Sequence, residues 1–464
     1  MITDKTRRLL DARLARDQAD ERLPSVAAGL ARDGELVWTG ARGRLDGETA
    51  DAGTLPDADT QYRAGSITKT FVAVAVMRLR DAGRLDLSDP VGAHLAVPGW
   101  ADSVAAMTVG QLLSHSGGLR AETAGPWWER TPGSSLADLG ASSLGADAAR
   151  LRPGRRHHYS NVGYALLGAL LASQYGQPWF EVISSELLEP LGMRRTTTRP
   201  QAPHATGYAV HPYADVLLSE PEHDAGAMAP AGQLWTTVTD LAKFARFLSG
   251  QTEGIIAPAT LEEMREPIVI SQEPGQPWTS AYGLGFQLWN STARRYGHSG
   301  SMPGFVALLG ITDAPGADTV IAACNSTTGF GRSLGADLLA ILAAEEPYVP
   351  GEWRPSEVDP ELLSLLGAWF WGPAPHTLRL SGGVLELSRD GSDGPGTRFR
   401  RDDAGTWRGL DGYMAGEPFT TVTGPDGTVV ALDIGSFIYS RTPYDPAAPI
   451  PGGADPEGWR VPGS

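Results

Sequence analysis

Apolar and polar positions along this chain recur at two periods, and the period changes from one stretch to the next. Aliphatic residues fall at helical spacing from Leu9 to Leu23, and Ser25 to Gly43 then reads as two strands folded about the turn Asp33-Gly34. After Ser66 the pattern Phe71, Val74, Val76, Leu79 runs to a break at Gly83. It predicts a helix of about four turns that starts close to Ser66, with Gly65 freeing the backbone just ahead of it. Residues 100 to 260 predict mostly helices, among them Val109 to Leu113, Tyr164 to Gln174 and Thr239 to Ser249, the last with Asp240 near its start. Strands return at Tyr282 to Leu288, Val306 to Thr312 and Thr319 to Asn325, before a closing helix from Leu334 to Ala344. Residues 1–348 therefore predict an α/β (α+β) domain whose antiparallel sheet draws strands from both ends and is flanked by helices.

Around Tyr348 to Pro355 the texture turns to proline, glycine and charge, which marks a linker. Short alternating segments follow at Leu378–Leu380, Val384–Leu387, Arg398–Arg400, Phe419–Val422 and Val429–Ile434, so 349–446 predicts a small antiparallel sheet or barrel. The Pro- and Gly-rich stretch 447–464 is expected to be a flexible tail.

Composition narrows the function classes. A net charge of -16 over 464 residues argues against nucleic acid or an anionic membrane as partner, since both need clustered positive charge. Met1 to Arg22 alternates charged and aliphatic residues and lacks the continuous apolar stretch of a secretory signal. No run approaches the roughly 18 apolar residues of a membrane span, and the expectation is a cytoplasmic protein. The only cysteine, Cys324, sits in an apolar strand run and reads as a packed thiol rather than a nucleophile.

The chemistry gathers at three short motifs. Ser66-Ile67-Thr68-Lys69 is an S-x-x-K sequence, which on a helix sets a hydroxyl and an ammonium on one face, a turn apart. A serine hydroxyl is a poor nucleophile at neutral pH, and a desolvated lysine that loses proton affinity can take its proton. Only three of the 38 Lys and Arg residues are lysines, Lys5, Lys69 and Lys243. Arginine stays protonated and cannot serve as that base, so a lysine kept here is informative. Tyr159-Ser160-Asn161 and His298-Ser299-Gly300 follow in order. The adjacent His157-His158 suggests metal only weakly, because neighbouring side chains diverge and no carboxylate or cysteine cluster accompanies them; no metal and no cofactor is expected.

These three motifs, at this order and spacing, resemble the S-x-x-K, Y-x-N and H-x-G motifs of penicillin-binding proteins and class C β-lactamases. The similarity covers roughly residues 10 to 345. It includes the stretches Gln111 to Leu119, Ala231 to Thr237 and Gly297 to Gly304. The resemblance implies a β-lactamase/DD-peptidase-like catalytic domain followed by a lipocalin-like barrel. It also implies that Ser66 is the nucleophile, that Tyr159 shares proton transfer with Lys69, and that Asn161 orients the substrate amide and hydrogen-bonds the lysine. A tyrosine beside an ammonium is expected to have its phenolate favoured. The N–H groups of Ser66 and Ser301 would form the oxyanion hole, and Gly300 would let substrate approach the strand edge. His298 stands where most β-lactamases carry lysine, which argues against β-lactamase activity as the main task.

Trp127 is expected either to pack in the core or to wall the substrate, and His115 to satisfy backbone groups rather than react. Arg441, beside the apolar strand Phe437-Ile438-Tyr439, is expected to face the active site and bind peptide. The leading functional expectation is a stand-alone thioesterase of the penicillin-binding-protein type. It would release a peptide from a carrier-protein thioester by cyclisation and favour a D-residue at the acyl position. The alternatives are a D-stereospecific peptidase, amidase or carboxylesterase, and, from another class, a non-catalytic binder, against which the intact motifs weigh.

Overall fold

The computed structural model describes residues 2–46, 54–271, 275–290, 293–402 and 404–443. Met1–Pro350 and Gly351–Ser464 form two compact units.

The first unit opens with α1 (Asp4–Asp20), whose N-cap Thr3 side chain accepts from the Thr6 N–H. The hairpin β1 (Ser25–Arg32) and β2 (Glu35–Gly43) follows as the sequence predicts. The rest of the sheet comes from β3 (Val269–Ile270), β4 (Ser280–Tyr282), β5 (Gln287–Asn290), β6 (Arg294–Met302), β7 (Phe305–Thr312) and β8 (Thr319–Cys324). Their spatial order is β2-β1-β8-β7-β6-β5-β4-β3. Register pairs Val26 with Cys324 and Ala31 with Thr319, so the first strand of the chain lies against the last of this sheet.

Alternation along β1 divides the core in two. Val26, Ala28 and Leu30 meet Leu10 and Leu14 of α1 and Leu334, Leu338 and Leu342 of the closing helix. Ala27 faces the larger cluster built around the central helices. The run expected as one strand from Tyr282 to Leu288 is two. Gly283 to Phe286 makes the connection between β4 and β5, and Gly285, at φ +86°, takes a backbone conformation that an extended strand does not.

Between the hairpin and the returning strands lie α2 (Thr68–Asp81), α3 (Val109–Leu113), α4 (Asn161–Tyr175) and α5 (Val238–Leu248); α6 (Leu334–Glu345) closes the unit. Every α2 residue from Thr68 to Met77 is buried, which makes it the helix around which the others pack. No helix among the described residues is long and apolar enough to cross a membrane.

In the second unit, β9 (Gly367–Trp371), β10 (Ala374–Ser381), β11 (Val384–Arg389), β12 (Thr397–Arg401), β13 (Trp407–Gly409), β14 (Pro418–Thr423), β15 (Val429–Ile434) and β16 (Phe437–Ser440) close into a barrel. Its core centres on Trp369, fully buried with Nε1 donating to the Leu365 carbonyl at 2.7 Å. The pattern of short alternating segments did not pick out β9 or β13. The expected tail, 447–464, lies outside the described residues.

Candidate active site

Ser66 lies in a 3-10 turn, Gly65–Ile67, and α2 proper begins only at Thr68. Gly65 has φ +53°, and a Cβ there would sit 2.5 Å from the Ser301 nitrogen. A Cβ on Gly300 would come within 1.9 Å of the Ala64 carbonyl oxygen and 2.9 Å of the Ser66 nitrogen. Two glycines thus let the turn and strand β6 touch backbone to backbone, which gathers the Ser66 and Ser301 N–H groups beside the hydroxyl. Pairing of β6 with β5 stops at Gly297 opposite Gln287, so no strand among the described residues covers that edge from residue 298 onward.

Lys69 is fully buried, and its Nζ lies 2.8 Å from Ser66 Oγ and 2.6 Å from the Ala231 carbonyl oxygen. Burial draws its ammonium down to about 7, against a smaller upward pull from Glu122 and Glu129. A neutral amine with one hydrogen committed to Ala231 directs its lone pair at the serine, the arrangement a base needs. The Ala231 loop is held there by the pairing of Tyr62 with Thr236 and Arg63 with Trp235, and by the Ala64 N–H on the Leu234 carbonyl at 2.7 Å. The sequence flagged Ala231 to Thr237 as familiar; its part in the site is this one carbonyl.

Tyr159 reaches the same centre, with Lys69 Nζ 5.0 Å from its ring centroid. Its titration differs from the expectation. Burial pushes the phenol well above its ordinary range, and the hydrogen bond with Ser66 only partly offsets that. Removal from water penalises the phenolate, and Glu122 and Glu129 add to that, so the phenol form is favoured rather than the expected phenolate.

Asn161 also differs. Its Nδ2 donates to Glu122 Oε1 at 2.7 Å, and the bond expected to Lys69 is not formed, because the lysine's partners are Ser66 and Ala231. Helix α4 starts at Asn161 with Ser160 as N-cap: its Oγ accepts from the Gly163 N–H at 2.9 Å and donates to the Arg120 carbonyl at 2.6 Å. His115 accepts the Ser160 N–H at 3.1 Å and packs on the Tyr159 ring with centroids 4.1 Å apart. It serves the backbone, as expected. Its burial holds it neutral.

His298 is fully buried; Nδ1 contacts the Ser299 carbonyl at 2.5 Å and Nε2 the Tyr282 hydroxyl at 3.0 Å. Burial first, then Lys69, lowers its pKa to about 3. Where a lysine would bring positive charge, this chain presents a neutral imidazole with both nitrogens engaged.

The tryptophan pair divides. Trp128 is buried and donates from Nε1 to Glu122 Oε2 at 2.7 Å, while Trp127 is 56% exposed with Nε1 on Glu129 Oε2 at 2.9 Å. The Arg130 guanidinium lies over the Trp127 ring, 5.0 Å from its centroid, so of the pair it is Trp128 that packs in the core. Arg441 is committed within the barrel unit: it donates to the Leu366, Ala368 and Ser364 carbonyls and lies 3.8 Å above the Trp369 ring. It also lines a cavity of about 850 Å³ whose walls all belong to that unit. The expected contact with peptide at the active site is not what its donors are occupied with. Glu122 and the Ala231 carbonyl were missed from sequence, since a loop acid and a main-chain oxygen carry no motif. No group of three or more His, Cys, Asp or Glu among the described residues could hold a metal.

Residues 10–345 match the family model described as Beta-lactamase, over the stretch that builds this serine–lysine–tyrosine centre. The chain belongs to the β-lactamase family. It is thereby a member of the β-lactamase and penicillin-binding-protein superfamily of serine hydrolases. Residues 358–441 match a domain of unknown function, DUF7586. Penicillin-binding protein 4 of Amycolatopsis lactamdurans is 26% identical over 368 residues, covering 74% of this chain and 93% of that protein.

Among solved structures of similar fold, the octameric penicillin-binding protein homologue from Pyrococcus abyssi has a TM-score of 0.65 at 22% identity, covering 94% of this chain and 100% of that one. SurE gives 0.58 at 23% identity, with coverage of 94% and 99%. The D-amino acid amidase from Ochrobactrum anthropi SV3, complexed with D-phenylalanine, gives 0.60 at 23% identity, with coverage of 73% and 97%. At these identities the structural likenesses speak for the β-lactamase-family fold alone.

Proposed function

We propose that this chain is a stand-alone thioesterase of the penicillin-binding-protein type that accepts a peptidyl thioester from a carrier protein, prefers a D-residue at the acyl position, and releases the peptide by cyclisation in the cytoplasm. The observation that carries the reading is the buried Lys69, drawn down to about 7 and set 2.8 Å from Ser66 Oγ. Ser66 gives its proton to the neutral Lys69 amine as Oγ attacks the thioester carbonyl, and the N–H groups of Ser66 and Ser301 hold the oxyanion. As the C–S bond breaks, the proton passes through Lys69 or the Tyr159 phenol to the departing thiolate. The acyl group is then on Ser66. A neutral His298 supplies no fixed charge for a free C-terminal carboxylate, which favours a thioester over a carboxypeptidase substrate.

The D-preference is supported by likeness to SurE, also solved with D-Leu, and to the D-amino acid amidase. With Ser66 and the two N–H groups fixed, the carbonyl has one productive orientation, and inverting the α-carbon swings its side chain into backbone. The second reading, a D-stereospecific amidase, is favoured by a comparable TM-score, 0.60 against 0.58 for SurE, and shares all chemistry up to the acyl-enzyme. Two peptide thioester mimics that differ only at the C-terminal α-carbon distinguish the possibilities. The D epimer is expected to acylate Ser66 faster and to leave as a ring. Equal acylation of both epimers would contradict the D-preference, and linear acid as sole product would favour the hydrolase.

A further inference from the structure

Asn161 is 93% buried by its 7% exposure, and the Glu122 contact fixes which way its amide faces. A carboxylate only accepts hydrogen bonds, so the amide nitrogen must point at Glu122 and Oδ1 away from it. No residue among those described donates to Asn161 Oδ1. The second Glu122 oxygen holds Trp128, which locks the carboxylate in place. Glu122 has no ion pair among the described residues, and the nearby Arg120 guanidinium is spent on the Glu122 and Ser143 main-chain carbonyls. An accepting amide oxygen thus sits beside an accepting, exposed carboxylate whose field reaches Lys69, in a centre whose imidazoles are neutral. The group that completes this arrangement is a cation rich in N–H donors.

We propose that Glu122 and Asn161 form the subsite for a primary ammonium group of the peptide substrate, the amine that attacks the Ser66 acyl-enzyme; this rests on release by cyclisation. The step balances without a further reactant. Of the three ammonium protons, one leaves to solvent by way of Glu122. The amine then attacks the ester carbonyl, its second proton passes through Lys69 to Ser66 Oγ as the C–O bond breaks, and the third stays on the new amide nitrogen. Glu129 adds to the negative field, and its Oε2 holds Trp127; of the two carboxylates, Glu122 acts the more strongly on Lys69.

The test compares a D-terminal peptide thioester mimic bearing a free amine with its N-acetylated twin, on the wild-type full chain and on Glu122→Gln. Wild type is expected to prefer the free-amine peptide by about tenfold in kcat/KM, as one charge-assisted hydrogen bond provides. Glu122→Gln, which can still accept from Trp128, is expected to erase most of that preference and to lower the ring-to-acid product ratio about as much. A variant that slows both peptides equally would leave Glu122 a purely structural role and overturn the proposal, as would wild type that treats the two peptides alike. The wild-type comparison stands even if the variant fails to fold. Should wild type make only linear acid, the cyclase reading fails, yet the preference for free amine still decides whether the ammonium subsite exists.

Discussion

The two units of this chain bury different things. Every buried polar or charged residue among those described lies at or before Ser326, including Lys69, Arg63, His115, His298, Asn161 and Asp240, whereas the buried side chains described in the barrel are all hydrophobic, from Leu365 to Tyr439. Two cations make the contrast concrete. Lys69 and Arg441 both donate to main-chain carbonyls. Arg441 keeps its charge at a barrel's side, stacked on Trp369, and its guanidinium cannot give up a proton near neutral pH. Lys69 is sealed in with a hydroxyl and a carbonyl and, among the described residues, no ion-pair partner, so burial lowers its proton affinity into the range a base needs. Stability is served by the first arrangement and chemistry by the second.

The sharpest break in that comparison is Ser66→Ala. It is expected to abolish acylation by an activated D-peptide ester, a loss of about 10⁴-fold or more, while leaving the fold in place. Intact-mass measurement reads this directly, and an adduct persisting on the variant would remove Ser66 from the account. Gly300→Ala comes next. Its methyl group has no room against the Ala64 carbonyl, so strand β6 must move off the nucleophile turn, and a loss of about 10²- to 10³-fold in kcat is expected from the disturbed N–H pair. Unchanged kcat would mean that the strand does not supply an oxyanion donor.

The barrel should respond differently. Arg441→Ala strips donors from three carbonyls and uncovers Trp369, at an expected cost of about 1–3 kcal/mol in the barrel's own unfolding. Acylation by a small ester should be unaffected. A marked fall in that rate, with the barrel still folded, would tie the units together functionally.

Much of the catalytic unit was legible because its signals are local. Ser66 and Lys69 are three residues apart, the hairpin turn is Asp33-Gly34, and α3 runs over Val109 to Leu113 as its pattern indicates. What stayed hidden depends on distant segments. The Ala231 carbonyl meets Lys69 across 162 residues, and Glu122 meets Asn161 across 39. The rise in Tyr159's proton affinity is a consequence of burial, which no motif encodes. The broken strand is the exception, for Gly283 and Gly285 stood in the sequence as a warning.

The central claim, that a buried neutral lysine activates Ser66, has a direct measurement in the pH dependence of kcat/KM for acylation by an activated D-peptide ester. Below the Lys69 pKa the side chain is an ammonium and cannot take the serine proton, so the rate should fall about tenfold per pH unit on the acid side. The limb should lie near pH 7 and should be missing, along with nearly all activity, in Lys69→Arg. A limb near the value of an ordinary exposed lysine, a flat profile through neutrality, or substantial turnover by the arginine variant would contradict it.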